Sequence, residues 1–272
     1  MPTLREYKKR LKSAETIGQL SGAMRSAAMA KYMKLSAANA AYAPYAEALE
    51  SFGRMTGESS PAKPVEGSGR VLVLLSGNHG LCGGYHHELF NFFLKTAGVL
   101  GPEDEIVACG QKANEFCRNK KLPVSRHFQI QDIPAFAEAG EIAEYLRSLC
   151  GGEAKRVTVV FQRFHNMLKS EPEAFEFPME GTGEGDEGYG ETLFIPDRRT
   201  VENELVPLSS AARMYSLLLS AAAGAQASTV IAMRSAYDNA VSSINELETR
   251  INRARQAAVT ASVLETSAEM KE

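Results

Sequence analysis

The sequence predicts an α/β domain set between two long helices that pair as a coiled coil. Three observations carry that expectation. Composition shifts sharply at both ends of the chain, apolar runs alternate with helical patterns through the middle, and a sustained seven-residue apolar repeat runs near the C-terminus.

Residues 3 to about 55 are rich in Ala, Met, Lys and Leu, all good helix formers. Leu4, Tyr7, Leu11 and Ala14 keep a heptad spacing, and the seam is expected to shift through Ile17, Leu20, Met24 and Ala27 or Ala28. Gly18, Gly22 and the alanines would let a second helix approach closely. The breaker-rich stretch Gly57-Glu58-Ser59-Ser60-Pro61-Ala62-Lys63-Pro64, running on to Gly69, reads as a linker. The expected organisation is an N-terminal helix over 1–56, a linker over 57–69, an α/β domain over 70–200 and a C-terminal helix over 205–272.

Val71-Leu72-Val73-Leu74-Leu75 is a continuous apolar run of the kind a doubly covered parallel strand needs. A helical pattern through Leu89, Phe90, Phe93 and Leu94 follows. Ile106–Cys109 reads as a strand, Lys112–Asn119 and residues 138–150 as helices, and Val157–Phe161 as a further strand. Strands separated by helices predict an open, mostly parallel sheet. The glycine-rich acidic segment over 180–190 reads as a surface loop without the ordered ligand spacing of an EF-hand.

After Pro207 there is no further proline, and helix formers dominate. Alternating steps of three and four from Val230 reach Met233, Tyr237, Ala240, Ile244, Leu247, Ile251, Ala254 and Ala258, all apolar, with charged and polar residues between them. A helix from about 208 to 266 would extend roughly 85–90 Å, against a radius of gyration near 14 Å for a domain of about 130 residues. The helix pair should therefore project well beyond the domain, as rods inside larger assemblies do. Its natural partner is the N-terminal helix, since each lacks another mate.

The net charge of -3 and hydrophobic share of 44% give no case for nucleic acid or a lipid surface. No uninterrupted apolar run reaches the roughly 18 residues of a membrane span, and no apolar signal core follows the charged opening. Direct membrane insertion is thus not expected. Cys82, Cys109, Cys117 and Cys150 show no Cys-x-x-Cys spacing, and a reducing compartment fits them best.

No motif supplies an active site or a cofactor. Gly77, Gly80, Gly83 and Gly84 follow a strand but lack both the Gly-x-Gly-x-x-Gly spacing and a following Gly-Lys-Ser/Thr, so a tight turn is the better reading. Cys82 and His86, with His79 or His87, lack the second ligand cluster that structural zinc wants. The basic cluster Arg5, Lys8, Lys9, Arg10 and Lys12 reads either as a solvated helix face or as a contact for acidic loops of a partner.

Three stretches carry a family resemblance. Leu4–Ser13 with Gly22–Lys31, the turn Gly80-Leu81-Cys82-Gly83-Gly84-Tyr85, and Ala232–Ala240 with Asn252–Thr260 together resemble the gamma subunits of F-type ATP synthases, in that family's order and at its length. The resemblance implies two long antiparallel helices with a Rossmann-like α/β domain inserted between them. It implies a non-catalytic central-stalk rotor, the ATP chemistry belonging to beta subunits. The coiled coil would stand inside an alpha3beta3 ring, and the base would rest with an epsilon subunit on the membrane c-ring. The chain would sit at the cytoplasmic face of the cell membrane through that complex and couple proton or sodium flow to ATP synthesis. Met24, Arg255, Gln256, Thr260, Ser262 and Glu265 occupy positions where that family's shaft meets the ring. This chain departs from the family pattern at Ser262, where the family has Glu, at Glu269-Met270, and at Gly77-Asn78-His79. Alternative readings are a diverged coiled-coil adaptor that no longer couples rotation, and an α/β nucleotide-binding enzyme with a helical dimerisation arm.

Overall fold

A computed structural model describes residues 3–56, 69–150, 156–177, 195 and 197–269. In chain order the elements are α1 (Leu4–Thr56), β1 (Arg70–Leu75), α2 (Tyr85–Ala97), β2 (Glu105–Cys109), α3 (Gln111–Asn119), β3 (Val124–Phe128), α4 (Phe136–Cys150), β4 (Arg156–Asn166), β5 (Lys169–Phe177) and α5 (Arg198–Glu269). They form two compact units, one of Met1–Ala28 with Val230–Glu272 and one of Met29–Thr229.

The larger unit is built on a sheet of order β3-β2-β1-β4-β5. β1 pairs in parallel with β2 and β4, β2 in parallel with β3, and β5 returns antiparallel to β4. The apolar run of β1 is explained by its two covered faces. Val71, Val73 and Leu75 pack with Ile142 and Leu146 of α4 and with Met214 and Leu218 of α5. Leu72 and Leu74 pack on the other side with Leu89 and Phe93 of α2 and with Cys117 of α3. All of these are buried; each large side chain removed from water contributes about 1.5–3 kcal/mol before entropy is charged against it.

Two strands escape the sequence pattern. β3 (VSRHF) lies at one edge with most of its residues exposed or half-buried, and β5 (KSEPEAFEF) lies at the other. Edge strands satisfy only one ladder and keep charge and proline. Glu173 of β5 accordingly pairs with Arg163 across the hairpin, and Asn166 Oδ1 accepts hydrogen bonds from the Leu168 and Lys169 amides to close its turn.

Other boundaries move as well. Pro207 does not begin the C-terminal helix but lies inside α5, which starts at Arg198. Asp197 precedes it and accepts from the Thr200 amide at 2.9 Å, capping the helix N-terminus ten residues before Pro207. Gly69, placed in the linker by composition, is buried against Glu103 at the foot of β1. The remaining linker residues, 57–68, and the acidic segment over 180–190 lie outside the described residues. α5 also contains an 18-residue window with mean hydropathy 1.4 although no uninterrupted apolar run reaches that length; 56% of that window is buried within the fold.

The foot of β1 is fastened by Asp104. It accepts from the Arg70 guanidinium at 2.6 Å, from the Arg70 amide at 2.9 Å and from the Gly101 amide at 3.0 Å. The Arg70 hydrogen bond, outweighing burial, holds the Asp104 carboxyl at about 2. At the opposite edge Gly110 has φ +92° between β2 and α3, and a Cβ there would meet the Ser76 carbonyl oxygen at 2.2 Å.

In the larger unit α1 and α5 also touch each other. Leu35 of α1 is buried with Leu219 and Ala223 of α5, and Tyr42 meets Tyr215 edge-on at 4.8 Å. Residue numbers rise along α1 as they fall along α5, so the pair is antiparallel.

In the smaller unit the two helices are again antiparallel: Gly18 faces Ala240 and Gly22 faces Tyr237. The buried or half-buried positions of α1 in this unit are Tyr7, Leu11, Ala14, Gly18, Ser21, Gly22, Met24, Arg25 and Ala28. The expected shift of the seam through Ile17 and Leu20 does not occur; these are 54% and 59% exposed. Small residues line the seam here: a Cβ at Gly18 would already touch the Ala240 Cβ at 3.5 Å and one at Gly22 the Tyr237 ring at 3.7 Å.

Two substitutions separate these glycines. A Cβ at Gly18 would stand 3.5 Å from the Ala240 Cβ, an ordinary contact, so Gly18→Ala should hold or raise thermal stability, by up to about 1 kcal/mol from helix propensity. Gly110→Ala, strained and clashing with backbone, should cost more than about 1 kcal/mol in denaturant unfolding. Asp104→Asn should cost about 2 kcal/mol at pH 7 by proton linkage. Because the folded carboxyl titrates below its ordinary value, that contribution is complete above pH 3.8 and is lost as pH falls through about 2. The gap between variant and wild type should close over that window.

Candidate functional site

The sheet order places the reversal between β1 and β4, and in doubly wound sheets ligands bind beyond the C-terminal strand ends at such a switch. Here the chain fills that crevice itself. Tyr85, the first residue of α2, is buried, and its hydroxyl donates to the Ala221 carbonyl of α5 at 2.8 Å. Gln162 of β4 donates to the Tyr85 carbonyl at 3.1 Å, and the Phe164 amide donates to Ser220 Oγ at 2.9 Å. Gly224 lets α5 approach, since a Cβ there would lie 3.3 Å from the Tyr85 ring. Beside that crevice, between the ends of β1 and β3 and α5, lies a cavity of about 40 Å³, room for a water or so and not for a nucleotide.

The glycine-rich loop between β1 and α2 is a tight turn in which Gly83 and, unexpectedly, Leu81 adopt positive φ, 58° and 64°. Its residues are pinned rather than left open. Asn78 donates to the Ile130 carbonyl and to Asp132, and its Oδ1 accepts from the Gln111 amide at 3.2 Å. Asp132 also pairs with His79 at 3.2 Å and with Lys31 of α1 at 2.6 Å. Burial alone would raise the Asp132 carboxyl, but the Lys31 hydrogen bond, the His79 and Lys31 charges and the Asn78 amide hold it below its ordinary value.

The Cys82 and His86 side chains are not set up for metal or nucleophilic chemistry. Burial raises the Cys82 thiol and lowers the His86 imidazole. His86 Nε2 lies 3.0 Å from the His79 carbonyl oxygen, and its ring stacks on Phe90. Among the described residues no group of three or more His, Cys, Asp or Glu could hold a metal ion.

The repeat residues of α5 lie along the smaller unit. Val230, Met233 and Ala240 are buried, while Ile244, Leu247, Ile251 and Ala254 are half-buried. From 238 to 264 these last five, Ala240 included, are the positions that are not exposed. Tyr237 sits at the margin of the seam with the Arg25 guanidinium 5.4 Å over its ring, and Ala258 is exposed. The register of Gly18 on Ala240 and Gly22 on Tyr237 carries forward to Leu4 opposite Ala254. Beyond Ala254, therefore, α5 runs on without α1.

That tip carries most of the expected ring-contact residues. Arg255, Gln256, Thr260 and Ser262 are exposed, Met24 is half-buried beside the seam, and Glu265 lies in the helix with its side chain outside the described part. Thr260 Oγ1 donates to the Gln256 carbonyl at 2.9 Å, turning back onto its own helix. Val259, Val263 and Leu264, absent from the polar set that the resemblance implies, are 59%, 62% and 63% exposed at the same tip. The i, i+4 spacing of Val259 and Val263 is readable in the sequence; their exposure is not.

A family model described as ATP synthase matches residues 3–268. The ATP synthase gamma chain of Chlorobium luteolum is 30% identical over 283 residues, spanning 96% of this chain and 95% of its own length. This chain belongs to the ATP synthase gamma family. The gamma chain of Rubrobacter xylanophilus is 27% identical over 282 residues, with 98% and 97% covered. Among solved structures, a chain of the Euglena gracilis mitochondrial ATP synthase (OSCP, F1 and c-ring) superposes with a TM-score of 0.72 at 15% identity, covering 98% of this gamma chain and 93% of that chain. A chain of the Tetrahymena thermophila central stalk and c-ring gives 0.62 at 19% identity, covering 80% and 99%. These structural likenesses establish the fold: a mixed α/β sheet with a long N-terminal and a long C-terminal helix.

The Asp132 cluster can be tested in the gamma chain alone. Asp132→Asn should speed amide hydrogen exchange across Gly77–Gly84 while leaving the β1 amides protected. The carboxyl is depressed in the fold, so in the wild type its restraint on the loop is complete above the ordinary carboxylate range and fades as pH falls below it. Unchanged exchange in the loop would remove Asp132 from its role as a staple.

Proposed function

We propose that this gamma chain is the rotor of an F-type ATP synthase central stalk, coupling ion flow to ATP synthesis or hydrolysis by contact rather than by chemistry of its own. One observation carries the reading: among the described residues, α5 continues past the start of α1 with the apolar side chains of Val259 and Val263 exposed. An isolated helix in water gains nothing from such residues. A sleeve that receives the tip would remove them from water.

The alpha and beta subunits of a hexameric ring supply such a sleeve. Val259, Val263 and Leu264 would make non-directional contacts whose energy changes little as the helix turns. Arg255 and Gln256 would add directional contacts that do depend on angle. The α/β unit would meet an epsilon subunit and a c-ring, and the complex would hold the chain at the cytoplasmic face of the membrane. The filled switch crevice supports a non-catalytic role and counts against a nucleotide-binding enzyme.

Mixing the gamma chain with alpha and beta subunits should yield a ring-containing complex that hydrolyses ATP and turns a probe fixed to the α/β unit. Val259→Ser with Val263→Ser should leave the unfolding of the free chain within about 0.5 kcal/mol, as exposed sites do, and should lower assembly or turnover of the complex. A chain that joins the ring without turning would be the diverged adaptor. One that does not join would defeat the rotor reading.

A further inference from the structure

Beneath the antiparallel segments of α1 and α5 in the larger unit lies a cavity of about 350 Å³ floored by β4 and β5. That volume falls in the range of small-molecule pockets. Its α5 wall is unlike the rest of the helix. Ser209, Arg213, Ser216 and Ser220 recur at spacings of four, three and four and face the cavity as one polar stripe. Facing them are the rings of Phe161, Phe164 and Phe175.

Two features of that stripe ask for a ligand. Ser209 is 4% exposed, and its hydroxyl has no hydrogen-bond partner. A buried hydroxyl without a partner is costly, and natural folds rarely keep one without reason. Arg213 is half-buried and, among the described residues, has no carboxylate in ion-pair range, whereas Arg163 and His165 on the cavity floor are already matched to Glu173 and Glu171. Ser220 is likewise engaged, accepting from the Phe164 amide at 2.9 Å. The unmet groups are thus a guanidinium and a hydroxyl one helical turn apart, set against aromatic walls.

We infer that this cavity binds a small amphipathic anion, its carboxylate or phosphate head on Arg213 and Ser209 and its short apolar tail against the phenylalanines. The guanidinium offers paired donors that match either head, and the hydroxyl adds a third. A purely inorganic anion would leave the aromatic wall without a role, and a neutral apolar ligand would leave Arg213 and Ser209 unmet.

Calorimetric titration of the full chain tests this with octanoate and octyl phosphate, against octyltrimethylammonium and inorganic phosphate as controls. Both amphipathic anions should bind saturably at one site per chain, and inorganic phosphate should bind more weakly than octyl phosphate. Arg213→Gln should weaken the anions by about tenfold or more, the order expected for loss of a charge-assisted pair. Ser216→Glu, which places a carboxylate beside Arg213, should abolish their binding. Thermal melting of each variant reports whether it folds; where Arg213→Gln does not, Ser216→Glu and the comparison of anion with cation decide. Absence of saturable binding by either anion, equal binding of octyltrimethylammonium, or unchanged affinity in the folded variants would overturn the inference. Phosphate binding as tight as octyl phosphate would overturn the part played by the aromatic wall.

Discussion

A pair of helices can bury only one stripe of each, and most features of the smaller unit follow from that limit. The stripe is narrow and rich in small residues: Ala14, Gly18, Ser21 and Ala28 are buried on α1, as are Val230, Met233 and Ala240 on α5. Close approach of the backbones substitutes for bulk, since dispersion falls steeply with any gap. Toward the tip the α5 seam residues are only half-buried, so each contributes less than the 1.5–3 kcal/mol or so of full burial. Exposed ion pairs such as Arg234 with Asp238 at 4.0 Å add about 0–1 kcal/mol at most. The seam, thin as it is, has to hold this unit together.

The sheet of the larger unit works under the opposite condition. β1 is covered on both faces, so its apolar character is continuous and was legible in the sequence, as were β2, the first half of β4, and α2 to α4. β3 and β5 were not legible, because an edge strand needs only half a ladder and one covered face. Arg126 of β3 even lays its guanidinium over the rings of Phe128 and Tyr145, a use of charge that an alternation count scores as noise. The start of α5 was misplaced for a related reason. Pro207 removes one backbone donor without ending a helix already capped at Asp197 and packed along its length.

The seven-residue spacing on α5 needed no structure to be seen, because it is set by the helix alone. On α1 the same spacing was obscured. Its seam positions include Gly18 and Ser21, which no hydropathy pattern selects, while the conspicuous Ile17 and Leu20 face outward. Which side of a helix is covered depends on the partner's side chains, here Tyr237 and Ala240. The Asp132 cluster was hidden for the same kind of reason: Lys31, Asn78, His79 and Asp132 come from three separate stretches of chain, and only the fold brings them within hydrogen-bond range.

The tip of α5 divides the work differently from what polar residues alone suggested. Thr260 closes on its own helix, so its hydroxyl is already engaged before any ring is met. Its neighbours Val259 and Val263 are the larger exposed apolar surface, and apolar burial carries no preferred angle. On the proposed rotor reading, that makes the tip a bearing first and an angular coupler second. If position 262 carries Glu in the family, as the resemblance implies, Ser262 in this chain would give up one directional contact without removing the bearing. Coupling would fall to the directional contacts that remain, Arg255 and Gln256 foremost, while the apolar side chains keep the helix seated.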